Sequence, residues 1–273
     1  MALNLFHRRP DLLPSLGVAF SSALWGLFWI PVRAINEAGV SVAWTSPTMF
    51  ICVVGVFLPV ALWRWRNFLK SDGSFWLACG LGGATFTMYS ISFNLTDVIH
   101  AMLLFYVSLI WSTLLGATFL GERLTVNRIL AIILGFMGLA VILGADGGFP
   151  WPRQIGDWFA LVAGMLWAVA SVRFFKGGAT LLIEKTFGFA VSALVAAVIL
   201  ALLPMGIESG LPEIEQIKSA WVWIVIVTAF ILPALYLVVW PTTVLSPARV
   251  GILFMSESFI GVGSAAYLTD EPF

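Results

Sequence analysis

The chain has 273 residues, of which 60% are hydrophobic and 10% charged. Soluble domains carry about 25% charged and roughly 45–50% apolar residues, so this composition cannot supply a soluble surface. Lys+Arg 14 and Asp+Glu 14 balance, which leaves no basic excess for neutralising phosphates and argues against a nucleic-acid binder. Two cysteines cannot make a disulfide scaffold, and both, Cys52 and Cys79, lie in apolar stretches as small buried hydrophobes. A cleaved signal peptide does not fit either: the first apolar stretch is long and runs on into more membrane sequence.

A helix crossing about 30 Å of hydrocarbon needs about 20 mostly apolar residues. Nine such stretches are predicted: Leu13–Ile35, Ala43–Trp65, Ser74–Leu95, Val98–Leu120, Val126–Gly144, Trp158–Phe175, Thr186–Met205, Ala220–Trp240 and Ala248–Leu268. Strand alternation is lacking, so the expected fold is an all-α polytopic membrane protein and not a β-barrel. Turn signals separate the spans at Ser71-Asp72-Gly73, Asp146-Gly147-Gly148 and Ser209-Gly210-Leu211-Pro212. Pro31, Pro59 and Pro233 fall inside spans, where each removes a backbone hydrogen bond and can kink the helix.

Cations set the expected orientation. With the N-terminus in the cytoplasm, the inner side holds Arg8, Arg9, Arg64, Arg66, Lys70, Arg123, Arg128, Arg173, Lys176 and Lys185. The outer side holds Arg33, Arg153 and Lys218.

The chain also resembles itself. His100–Glu122 lies over Arg249–Glu271 without a gap, setting Phe105 on Phe254 and Gly121-Glu122 on Asp270-Glu271. Ala23-Leu24-Trp25, then Arg33, is echoed by Met165-Leu166-Trp167, then Arg173. Span six restarts span one and span nine restarts span four, a unit of five helices. An odd unit puts the second copy upside down, as in many secondary transporters, whose site lies between the halves near the midplane.

Leu24-Trp25-Gly26, Gly121-Glu122-Arg123-Leu124-Thr125 and Asp270-Glu271-Pro272 resemble the EamA branch of the drug/metabolite transporter superfamily, above all its bacterial aromatic amino-acid exporters. The resemblance implies two inverted five-helix repeats, here residues 1–145 and 155–273. It implies a central cavity lined by the first, third and fourth helices of each repeat. It also implies alternating access, export from the cytoplasm and a bacterial inner membrane. The family pattern has a tenth helix; the sequence given ends at Phe273, after the ninth.

Glu257 is the sharpest candidate for chemistry. It lies about halfway along span nine, where an ionisable group costs on the order of 2.5–3.5 kcal/mol by insertion scales. It must face a cavity or a partner, as a proton site, a contact for a substrate ammonium, or a structural group bonded to a neighbouring helix. Many aromatic residues sit at span ends, where rings prefer the interface. Trp25, Trp29, Tyr89, Phe93, Tyr106, Trp167 and Tyr236 lie deeper, on the spans expected to line the cavity, and suit an aromatic substrate. Any one of them could equally be ordinary packing. Ser256, Ser258 and His100 could hold a polar end of the substrate. His100 and Arg249 open their spans, where cations also snorkel to head groups.

Glycines at 80, 82 and 83 signal close helix approach. The only histidines are His7 and His100, so no two-histidine zinc helix is present. No phosphate-binding Gly-Lys-Ser/Thr loop occurs either. No enzyme, metal or cofactor is expected. The expected partners are the bilayer, a small amino-acid-like substrate and protons. The alternatives are a sugar-phosphate or nucleotide-sugar carrier, which wants cavity cations, and a passive channel, which wants rings of polar residues.

Overall fold

The computed structural model describes residues 11–122, 152–176 and 182–269, with scattered positions between 124 and 137. Among the described residues the regular structure is all helical. The N-terminal cations, most of Val126–Gly144 and the Asp270-Glu271-Pro272 ending lie outside them.

Span one is two helices, α1 (Leu12–Trp25) and α2 (Trp29–Glu37); span two is α3 (Val42–Trp63), followed by short α4 (Trp65–Leu69). Span three is α5 (Gly73–Leu95), and span four divides into α6 (Val98–Tyr106) and α7 (Ser108–Leu120). Spans six, seven and eight are α8 (Ile155–Lys176), α9 (Leu182–Leu202) and α10 (Ile214–Thr242). Span nine divides into α11 (Pro247–Phe254) and α12 (Ser256–Leu268). Seven of these spans are long and apolar enough to cross a membrane. The chain is therefore a polytopic helical membrane protein. The nine predicted spans reduce to seven by that standard for two reasons. Val126–Gly144 lies largely outside the described residues. The 23-residue α5 is less apolar because it carries Thr85, Thr87, Ser90 and Ser92, all buried against protein.

The break inside span one has a local cause, and those inside spans four and nine take the same form. Pro31 has no N–H to give the carbonyl of Leu27, and its ring crowds that carbonyl. The chain tightens just before it: the amides of Leu27 and Phe28 donate to carbonyls three residues back, at 2.9 and 3.0 Å. Val107 and Met255 make the same three-residue bonds, to Leu104 and Ile252, at 3.3 and 3.2 Å. These are single turns of 3₁₀ helix. Pro59 and Pro233 break neither α3 nor α10.

Packing interleaves the early and late spans. α1 lies against α10, α11 and α12; α8 lies against α5, α6 and α7; α3 lies against α9. Missing side chains make the closest crossings possible. A Cβ on Gly83 would strike the backbone of Ser192 and Ala193 on α9. One on Gly26 would lie 2.6 Å from the carbonyl oxygen of Glu257. Gly80, one turn before Gly83, faces open space. Two polar clusters close the bundle ends. At one, Arg33 donates to the carbonyls of Phe93 and Thr96, and Thr96 Oγ1 donates to Asp157 Oδ1 at 2.6 Å. At the other, Arg64 and Asn67 both donate to Glu184 Oε1, each at 2.8 Å.

Overpacking a tight crossing costs about 1–3 kcal/mol. Gly83→Ala is expected to lower the thermal unfolding midpoint in detergent, whereas Gly80→Ala leaves it unchanged or slightly raised. Equal midpoints for the two variants would show that the α5–α9 approach is not limiting.

Candidate substrate cavity

One cavity lies where the interleaved helices meet. It encloses about 470 Å³ of empty space, counting its open mouth. Trp25 of α1, Thr85, Phe86 and Tyr89 of α5 and Phe105 of α6 line one part. Trp167 of α8, Phe189 of α9, Leu235 and Val238 of α10, Phe254 of α11 and Glu257 of α12 line the rest. The walls are almost wholly aromatic and aliphatic.

The rings pack on one another as well as on the space. Tyr89 stacks on Phe105 with centroids 4.2 Å apart and an interplanar angle of 21°. Trp25 meets Phe86 edge-on at 5.0 Å, and Trp167 meets Phe254 edge-on at 5.7 Å. Such pairs fix ring planes, which gives a preformed wall for a flat group.

Glu257 is the one carboxyl in this lining, and it is 2% exposed. The Tyr89 hydroxyl donates to its Oε1 at 2.9 Å. The Tyr106 hydroxyl stands beside the same carboxyl and donates to the carbonyl oxygen of Phe254 at 2.8 Å. The indole N–H of Trp25 is buried and has no partner.

Of the residues singled out in the sequence, Trp25, Tyr89, Trp167 and Glu257 line the cavity. The others stand elsewhere. Phe93 is fully buried behind Tyr89, with ring centroids 4.6 Å apart. Tyr106 is 1% exposed and supports the wall from behind. Trp29 gives its indole N–H to Ser264 Oγ at 3.0 Å. Ser256 donates to the carbonyls of Leu253 and Ala19. Ser258 is buried but is not in the lining. Tyr236 is 47% exposed and turned away; its neighbours Leu235 and Val238 take the inward face. One residue along a helix is about 100° of rotation, enough to carry a side chain from cavity to lipid. His100 sits at a bundle end, with Nδ1 3.2 Å from Asp157 Oδ1. Arg249 pairs with Asp11 at 2.7 Å on an exposed surface.

Phe86, Phe105, Phe189 and Phe254 were missed as lining. Phe105 and Phe254 did carry a signal, since the internal alignment sets them on each other. Nothing in the sequence separates Phe189 from an ordinary packed ring. No group of three or more His, Cys, Asp or Glu residues that could hold a metal occurs among the described residues.

The fold and the site define a helical membrane bundle around an open-mouthed aromatic cavity with one carboxyl. The likenesses found are to transporters and to one solved fold. Residues 13–144 match the model of the EamA-like transporter family. The "Uncharacterized transporter YoaV" of Bacillus subtilis (strain 168) is 24% identical over 163 residues, 58% of this chain and 55% of that protein. The chain thus spans about half the length of that curated relative. A crystal structure 21% identical in sequence superposes with a TM-score of 0.67, over 95% of this chain and 90% of that one, and shows the same fold.

Hydrogen bonds between helices within a membrane contribute about 0.6 kcal/mol on average and up to about 1.7 kcal/mol. Tyr89→Phe is expected to destabilise the protein by that order in a denaturation series, and Tyr236→Phe by nothing measurable. A Tyr89→Phe variant as stable as its parent would show that the hydroxyl does not hold the carboxyl.

Proposed function

We propose that the chain is a secondary transporter that exports amino acids, chiefly aromatic ones, and related metabolites from the cytoplasm by alternating access. The observation that carries this reading is the meeting of Trp25, Trp167, Phe105 and Phe254 in one cavity with Glu257. Trp25 with Trp167, and Phe105 with Phe254, are the very pairs that the internal alignment sets together. Their convergence supports two inverted units, residues 1–145 and 155–273, with the site between them. The interleaved packing supports it too, since exchanging spans one, three and four for six, eight and nine returns the same pairings.

In this reading a substrate ring slots between the walls and its ammonium faces Glu257. The His100–Asp157 and Arg33–Thr96 contacts close the outer end, and Arg64–Glu184 ties the inner end. The charge bias supports a cytoplasmic N-terminus, and the family resemblance supports a bacterial inner membrane. A sugar phosphate or nucleotide sugar is the weaker alternative, because no Lys, Arg or His stands in the lining. A channel would need rings of repeated polar groups along a pore, and the lining has none.

The test is uptake of radiolabelled phenylalanine and tryptophan into proteoliposomes, beside lysine, a sugar phosphate and protein-free vesicles. Saturable uptake of aromatic substrates that Trp25→Ala and Trp167→Ala reduce by at least about tenfold, the loss of about 1.4 kcal/mol, is expected. Uptake of the sugar phosphate alone would overturn the substrate, and ion conductance without saturation would overturn the carrier. Protons are the proposed coupling ion through Glu257. Glu257→Gln is then expected to flatten the pH profile of transport, and an unchanged profile would remove Glu257 from that role.

A further inference from the structure

The cavity is charged on one side only. A zwitterionic amino acid brings an ammonium and a carboxylate on the same carbon. Glu257 answers the first with a charge, and nothing in the lining answers the second, since it holds no Lys, Arg or His. Among the cations of the neighbouring spans, Arg33 donates to the Phe93 and Thr96 carbonyls, Arg64 pairs with Glu184 and Arg249 with Asp11 at the bundle ends, Arg173 and Lys176 of α8 are exposed, and Lys185 of α9 lies outside the lining. Broken helices can hold a carboxylate on free amides. Here the amides at the breaks, Leu27, Phe28, Val107 and Met255, are all spent on carbonyls three residues back. The spare donors near the site are the indole N–H of Trp25 and the hydroxyl of Ser258, both neutral. A carboxylate drawn into this space would lose its water, find no counter-charge and lie against a like-charged neighbour.

An ammonium meets the opposite situation. It gains a charge-assisted hydrogen bond to Glu257, and the faces of Trp25, Tyr89 and Trp167 can stabilise a cation as well. We infer that the cavity selects aromatic monoamines, with one ring and one ammonium and no carboxylate, over the amino acids that carry the same ring. This rests on the reading of the cavity as the transport site and moves its preferred substrate from the aromatic amino acids to the related amines. The reaction that supplies such a molecule is decarboxylation of an aromatic amino acid: it takes up one proton, releases carbon dioxide and leaves the amine. The transporter would then act downstream of that step.

The experiment is a charge series on one ring, bound to the purified full chain in detergent and read by displacement of a radiolabelled amine. The series is phenethylamine, its permanently charged N-trimethyl form, phenylalanine and 3-phenylpropionate. Phenethylamine and its trimethyl form are expected to bind at least about tenfold tighter than phenylalanine, a gap of about 1.4 kcal/mol, and 3-phenylpropionate weakest. Glu257→Gln is expected to erase that order, and Glu257→Asp to keep it. The series on the unaltered protein decides the matter even where the glutamine variant fails to fold. Phenylalanine binding as tightly as the amine overturns the inference and leaves the amino-acid transporter standing. Saturable binding by none of the four overturns both.

Discussion

A carboxyl in the middle of a membrane protein constrains everything around it. Glu257 is 2% exposed, and at such depth an isolated ionisable group costs several kcal/mol. The fold meets that cost with a hydrogen bond from Tyr89, with Tyr106 alongside and with a cavity in place of lipid. Those partners come from α5 and α6, far away in the sequence. Glu257 therefore needs the early and late spans interleaved. The aromatic lining follows from the same need, because rings such as Tyr89 on Phe105 hold the polar hydroxyl at a fixed height against the carboxyl.

Interleaving in turn depends on places without side chains. Gly26 passes the Glu257 carbonyl so closely that a Cβ would collide with it. The turn that brings it there is set by Pro31 a few residues on. Gly164 of α8 also allows a close approach, since a Cβ there would meet the carbonyl of Phe105. Span one thus lies against span nine, and span six against span four. Close approach matters more here than in water, because lipid gives helices no hydrophobic reason to associate.

Much of this was legible in the sequence. The helical class and the span positions follow from apolar runs of membrane length, and Glu257 stands out because a lone acid in such a run has no cheap explanation. The alignment of Phe105 with Phe254 and of Trp25 with Trp167 also pointed at the cavity. Facing was not legible. The spans are apolar all round, so their sequence carries no stripe to say which side meets protein. That is why Tyr236 was expected inside while Leu235 and Val238 take that side. α5 was the opposite case: its serines and threonines made it a weak membrane span, and Thr85, Thr87, Ser90 and Ser92 lie in the part of the helix that is buried against protein.

The polar groups divide by depth, and the division bears on how such a bundle could move. Arg33, Thr96, His100 and Asp157 join spans one, three, four and six at one end. Arg64, Asn67 and Glu184 join spans two and seven at the other. Between them, rings and methyl groups surround a single carboxyl, and single hydrogen bonds join the helices, such as Ser21 to the Ala234 carbonyl, Thr87 to the Ala193 carbonyl and Trp29 to Ser264. The two ends each gather several directional bonds into one cluster, and both clusters are made in this structure. The 3₁₀ turns at Leu27–Phe28, Val107 and Met255 lie at the level of the cavity, where each broken span could change angle without pulling its end cluster apart.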